Sequence, residues 1–240
     1  RGGANGHDVF TGVVSYVGIV EKQSSSDEVI NVQVRREGQG SATTEIVGGE
    51  TAFAAAALPS GLPAVGLTYT GSGQTLAVSQ TPFTWDTQSF IDTSVFTHST
   101  STNSSRIQVA ESGDYLFFST AYTSRSSDGD RNVPRIDWRL DGASVVQYGG
   151  HGSYNRGDQG GADAYTSGSS GGVLLSGLTT GQYLELLHSD ETGDTPNASF
   201  TANRIAVQGI SIASLTSNDV TVTPVRDQVA VVAPGTVSFN

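Results

Sequence analysis

The sequence predicts an all-β fold, with strands at the spacing of a sandwich or barrel. Three observations carry this reading: period-2 alternation of apolar and polar residues, Ser/Thr/Gly/Asn/Asp clusters between the alternating runs, and no sustained helical stripe with caps. In Ile30-Asn31-Val32-Gln33-Val34-Arg35 the apolar residues share one face and the polar residues the other. Ile136-Asp137-Trp138-Arg139-Leu140 repeats the scheme, so both runs predict half-buried strands with one wet face. Tyr115-Leu116-Phe117-Phe118, with Tyr122 downstream, is apolar on both faces and predicts a central strand. Separators fall at 23–28, 99–105, 124–132, 149–161, 167–172 and 190–197. Only 54–58 is ambiguous between strand and helix, and Pro59 stops it from growing.

Composition narrows the function classes. At 240 residues the chain suits one large β domain or two modest ones. Lys and Arg total 12 against 23 Asp and Glu, a formal net charge of −11 that opposes nucleic-acid phosphate and anionic lipid. Cys is absent, which removes disulfides, thiol catalysis and Cys-based metal sites. No apolar run approaches the ~18–20 residues that span a bilayer, so no membrane insertion is expected. Met is absent and the first residue is Arg1, which predicts a terminus exposed by proteolysis or residues missing ahead of it. No signal-peptide pattern is present. Lys22 stands alone beside eleven arginines, and the expected setting is a virion, the extracellular space or a cell surface.

An ordered internal echo suggests duplication. Gly6-His7-Asp8-Val9-Phe10 sits like Gly113-Asp114-Tyr115-Leu116-Phe117, and Tyr16 follows the first as Tyr122 follows the second. Ser25-Ser26-Asp27 matches Ser126-Ser127-Asp128, the two alternating strands match each other, and Leu67-Thr68-Tyr69 matches Leu184-Glu185-Leu186. On this reading residues 1–79 form an N-terminal β module, a partial repeat of the domain at 80–216, and 217–240 form an extended tail. The tail carries two spare strand-like runs, Val220-Thr221-Val222 and Val229-Ala230-Val231-Val232. These would complete the abbreviated module of the same chain or of a neighbour, or lie as an arm on another surface.

The stretch from about 80 to 215 resembles the tumour-necrosis-factor-like jelly roll of the complement globular-head type. Phe83-Thr84-Trp85 opens the resemblance. Arg106 to Phe117 follows the family's run with Gly113-x-Tyr115-x-Phe117, and Ile136–Gly142 looks like the strand that ends in Asn/Asp-Gly. Val173 to Leu186 corresponds to the later Gly-Asp run, with Gln182 where the family usually has Asp, and 205–212 would be the last strand. The resemblance implies a jelly-roll sandwich that trimerises through aromatic faces, as also found in phage and viral decoration or spike proteins. Tyr115, Phe117, Tyr122 and Tyr183 are the candidate core and trimer-interface residues.

Catalytic signatures are weak. His7, His98, His151 and His188 are scattered without metal spacing. Gly168-Ser169-Ser170-Gly171-Gly172 fits Gly-x-Ser-x-Gly formally, but a Ser/Gly loop precedes it and a strand follows, whereas a nucleophile elbow needs strand then helix. The acidic loops are richer. Asp128-Gly129-Asp130-Arg131-Asn132 opens like an oxygen-ligand loop for Ca²⁺ yet lacks the EF-hand's later Gly and Glu. With Asp190, Glu191 and Asp194 at the same end it would gather five carboxylates. Asp128, Asp130, Asp190 and Asp194 are therefore candidate Ca²⁺ ligands, solvated charge being the simpler reading, and no other cofactor is expected. Arg156-Gly157-Asp158 matches the integrin tripeptide, and Asn103-Ser104-Ser105 and Asn197-Ala198-Ser199 match glycosylation acceptors. Trp85 and Tyr154, flanked by turn residues, are the candidates for stacking on a sugar.

The expected function is that of a non-enzymatic structural protein of an extracellular assembly, above all a homotrimeric virion capsid decoration or cement protein. Its N- and C-terminal segments would grip an underlying capsid or assembly protein. The alternatives are a receptor- or glycan-binding head using the loop end around 149–161, a surface filament built by strand donation, and a β-sandwich hydrolase.

Overall fold

The structure is a computed structural model. It describes residues 61–71, 73–125, 131–143, 145–152, 155–156, 166–192, 198–201 and 203–212, together with the short segments 32–33, 53–57, 221–225, 229–232 and 236–239. In chain order the first strands are β1 (Val32–Gln33), β2 (Phe53–Ala57), β3 (Ala64–Thr68), β4 (Thr81–Pro82), β5 (Thr87–Ile91) and β6 (Phe96–Thr97). Next come β7 (Ile107–Val109), β8 (Gly113–Arg125), β9 (Arg131–Asn132), β10 (Pro134–Leu140), β11 (Val145–His151) and β12 (Asn155–Arg156). The last are β13 (Thr166–Leu178), β14 (Tyr183–Asp190), β15 (Ala198–Phe200), β16 (Ala206–Ser211), β17 (Thr221–Val225), β18 (Val229–Val232) and β19 (Thr236–Phe239).

In the larger unit, the described residues of Pro63–Ser211 form an antiparallel sandwich. One sheet runs β13-β8-β16-β3-β5 with β15 added to β8, and the other runs β11-β10-β14-β7-β6 with β4 added to β14. The chain crosses repeatedly between the sheets, with β6-β7 and β10-β11 remaining as pairs within one of them, which gives the jelly-roll path. Between the sheets lies an aromatic core. Phe96 packs edge-on against Tyr115 and Phe117 at 5.5 and 6.2 Å, and Phe117 meets Trp138 of the opposite sheet at 6.1 Å. Side-chain alternation in β8 explains the arrangement: Tyr115, Phe117, Ser119, Ala121 and Thr123 are buried, while Leu116, Phe118, Thr120 and Tyr122 point out and are half-buried. The Tyr115 hydroxyl donates to the Glu111 carbonyl at 2.5 Å, pinning the turn that launches β8. Burial, and then the Glu111 charge, push this phenol above its usual pKa.

The sandwich differs from the expected boundary at 80. β3 pairs with β16 over Ala64–Thr68 to Ile210–Ala206, and β5 then pairs with β3. Leu67-Thr68-Tyr69 therefore serves the same sandwich as Leu184-Glu185-Leu186 rather than a separate sibling, because β16 would otherwise be an open edge. Residues 6–31, which carry most of the proposed repeat, lie outside the described residues.

The stretch 167–172, expected as a loop, lies within β13, whose ladder with β8 runs from Thr166↔Ser124 to Leu178↔Gly113. Small residues are required here by close approach. A Cβ on Gly171 would collide with the backbone carbonyl oxygen of Gly149 in β11, so the two sheets nearly touch backbone to backbone. The glycines at 149 and 150, expected as loop, accordingly lie in β11.

The second unit comprises Ile19–Leu62 and Ile212–Asn240. β17 pairs with β2, Thr221↔Ala57 through Val225↔Phe53, and β19 pairs with both β1 and β18. The ambiguous run at 54–58 is thus extended up to Ala57, pairing overriding the helical preference of alanine. Of the strand-like runs of the tail, Thr221 and Val222 lie opposite Ala57 and Ala56, and Val229–Val232 lie opposite β19.

Gly171→Ala should destabilise the sandwich by at least about 2 kcal/mol, because neither backbone can yield without breaking ladder bonds. Urea unfolding followed by tryptophan fluorescence checks this. An unchanged midpoint would contradict the close approach.

Candidate functional site

The two outer faces of the sandwich differ in chemistry. On the β8 sheet, register aligns Leu174 with Leu116, Leu116 with Ile210, and Ile210 with Ala64 in one apolar row. The adjacent row runs Gly172, Phe118, Gln208, Gly66 and Phe90. Here each aromatic ring occupies the space beside a glycine: Phe90 fills the place a Cβ on Gly66 would take, and Phe118 lies 3.0 Å from that of Gly172. Rings laid over neighbouring glycines cover exposed backbone and flatten the face. Leu174, on the β13 edge of the sheet, is 60% exposed, and Phe90, on the opposite β5 edge, is 42% exposed.

The β14 sheet presents charge instead. Glu185, almost fully buried, accepts from Arg139 Nε at 3.0 Å and Nη2 at 2.7 Å, and from Ser105 Oγ at 2.8 Å. Asp137 pairs with Arg135 Nε at 2.8 Å and accepts from Gln80 Nε2 at 2.7 Å. Arg135 also reaches Glu191 and stacks over Tyr148 at 4.3 Å. Such buried pairs hold the strand faces in place, and deleting one partner leaves a stranded charge.

Of the sequence-predicted residues, Tyr115 and Phe117 stack together inside the core at 6.2 Å. Tyr122 lies on the outer face of β8 beneath Arg204 at 4.7 Å, and Tyr183 begins β14 beneath Arg106 at 4.2 Å. The four are thus not one surface. Asp190 is buried, and its carboxylate accepts from Val133 N at 2.8 Å and Thr192 Oγ1 at 2.7 Å, anchoring two loops. Asp128, Asp130 and Asp194 lie outside the described residues, as do His7, Tyr154, Gly157, Asp158 and Asn197. Among the described residues no group of three or more His, Asp or Glu side chains is placed to hold a metal ion.

Trp85 is buried against Phe83 and is unavailable for sugar stacking, a correction to the sequence expectation: its ring belongs to the hydrophobic core. Gly168 to Gly172 runs straight along β13 with Ser169 buried, so no nucleophile elbow forms there.

His188 has its ring 4.6 Å from Phe83 and 4.9 Å from Phe200 inside the core. Burial lowers its pKa to about 4 from the ordinary 6.5. It is a packing residue that stays neutral rather than a proton shuttle.

No protein-family model matches the chain, and no curated protein matches it in sequence. Similar solved structures include Eiger TNF from S. frugiperda, at 12% identity and a TM-score of 0.42, covering 65% of this chain and 96% of that one. Crystal structures of murine APRIL at pH 8.0 and pH 8.5 are 8% and 10% identical, with TM-scores of 0.40 and 0.39. Each covers 62% of this chain and 98% of the APRIL chain. The likeness is one of fold. By their own strand pairing, the described residues of this chain form an antiparallel β-sandwich with no helix.

An unfolded chain protonates its histidine near pH 6.5, whereas the folded one resists until about pH 4. The stabilisation from neutral His188 is therefore complete above pH 6.5 and lost as pH falls towards 4, about 3 kcal/mol in all. His188→Phe, which keeps a ring between Phe83 and Phe200, should flatten the decline of melting temperature across that window. Parallel declines in variant and native chain would contradict it.

Proposed function

We propose that this chain is a non-enzymatic structural protein that self-assembles as a homotrimer through the outer face of the β8 sheet. The observation that supports this is the apolar character of that face, with Leu174 exposed on β13, Leu116 and the glycine-seated Phe118 half-buried on β8, and Phe90 exposed on β5. A flat apolar surface of this kind favours burial against a second copy of itself, since a cyclic assembly covers every copy of the patch at once. The trimeric stoichiometry follows the jelly-roll resemblance in the sequence. Tyr122, on the same outer face, belongs to the rim of this surface, whereas Tyr115 and Phe117 act from within the core.

The setting is an extracellular assembly, with virion capsid decoration the reading that unites the features. The net charge of −11 keeps the exterior repulsive and soluble, and the terminal segments engage the layer beneath. A receptor- or glycan-binding head is the second reading, favoured by the polar cleft described below.

Multi-angle light scattering should give three times the 24.8 kDa chain mass. Leu174→Glu, at an exposed position, should leave each protomer folded and yield monomer, since the trimer would bury three unpaired carboxylates, one from each protomer. A native chain that elutes as monomer would overturn the reading.

A further inference from the structure

Opposite the apolar face, strands β6, β7 and β14 and the loop at 98–106 line an open polar cleft of about 320 Å³. It is lined by Thr97, His98, Ser99, Arg106, Gln108 and Tyr183, with Thr102 and Asn103 at the loop. The volume is at the small end for ligand pockets, so it suits one compact ligand.

Arg106 sets the chemistry. Its guanidinium lies over the Tyr183 ring at 4.2 Å, with Nε 3.9 Å from Glu185 Oε1, too far for a hydrogen bond. Glu185 is already committed to Arg139 and Ser105. Two guanidinium groups thus face one carboxylate, leaving a surplus positive charge on a strongly acidic protein. Among the described residues no acceptor takes a hydrogen bond from the Arg106 guanidinium, whose side chain is 40% exposed. Stacking on the ring fixes the planar fork while its donors stay available, the arrangement that suits a carboxylate.

Hydroxyl-matching groups surround this cation. His98 Nδ1 donates to the Arg106 carbonyl at 2.9 Å, which ties the ring to the arginine's own backbone, while Nε2 is turned inward and buried. Gln108 accepts from Thr97 Oγ1 at 3.2 Å and donates to the Gly181 carbonyl at 2.8 Å, holding both side chains at the wall. Asn103 adopts a left-handed φ of 51°, and its carbonyl accepts from Arg106 N at 2.9 Å, so the loop geometry itself positions the arginine.

We propose that this cleft is a binding site for an acidic sugar, a carboxylate-bearing polyol whose carboxylate sits on the Arg106 fork and whose hydroxyls meet the Thr97 and Gln108 wall. The site belongs to one protomer and does not depend on the assembly proposed above.

Isotope-edited NMR titration of the full chain with N-acetylneuraminic acid and with glucuronic acid tests this, with methyl glucoside and acetate as controls. At least one acid sugar should saturate at millimolar concentration, shifting the Arg106 Nε–H and the amides of Thr97, His98 and Gln108, and both controls should bind at least tenfold more weakly. Which acid sugar binds identifies the source. Arg106→Gln should weaken binding about tenfold or more. Because that change also removes packing on Tyr183, Thr102→Glu and Thr102→Lys at the exposed rim give a second reading, expected to weaken and tighten binding respectively. Absence of saturation with both acid sugars, equal binding of methyl glucoside, or the same affinity in both Thr102 variants would overturn the proposal.

Discussion

The strict alternation of side chains along β8 is the constraint on which the rest of the molecule depends. A strand that is apolar at every position from Tyr115 to Phe118 cannot bury all of them in one core. Tyr115 and Phe117 close the space between the sheets against Phe96 and Trp138, and the same backbone turns Leu116 and Phe118 outward. One residue of slip would exchange the two sets, so the buried rings specify the register of the whole sheet. The aromatic core and the apolar outer face are therefore two consequences of one strand.

The neighbours of β8 are shaped by that strand. β13 supplies Val173 inside and Leu174 outside, then thins to serine and glycine where Phe118 needs room and where β11 passes close. β16 sets Gly209 against Phe117, whose ring fills the space of the missing side chain. The opposite sheet carries the polar load: its outer face places charged pairs beneath loops, and it is there that Arg106 is held with donors to spare. Apolar and polar surfaces are thus separated by the thickness of the sandwich.

Much of this organisation could be read from the residues. The alternation in 136–140 and the doubly apolar run at 115–118 correspond to β10 and β8, and the Gly113-x-Tyr115 pattern corresponds to a tyrosine whose hydroxyl pins its own turn. The Ser/Gly half of β13 was not readable as strand, because its reason for being small is a backbone in another part of the chain. Trp85 looked available from its flanking residues, yet burial depends on what folds over it. The cleft was also missed: Arg106 reads as the start of a strand, and its stacking on Tyr183 and its shared carboxylate with Arg139 arise only from long-range pairing. Neither signal resides in a local pattern.

Intermolecular NOEs in a mixture of differently isotope-labelled protomers test the division of labour along β8 most directly. The Leu116 and Leu174 methyl groups should show NOEs to Phe118 or Phe90 of another copy, while core methyls of Leu186 and Val207 show only intramolecular ones. Outward methyls without intermolecular contacts in the assembled protein would contradict the assignment of that face to self-association.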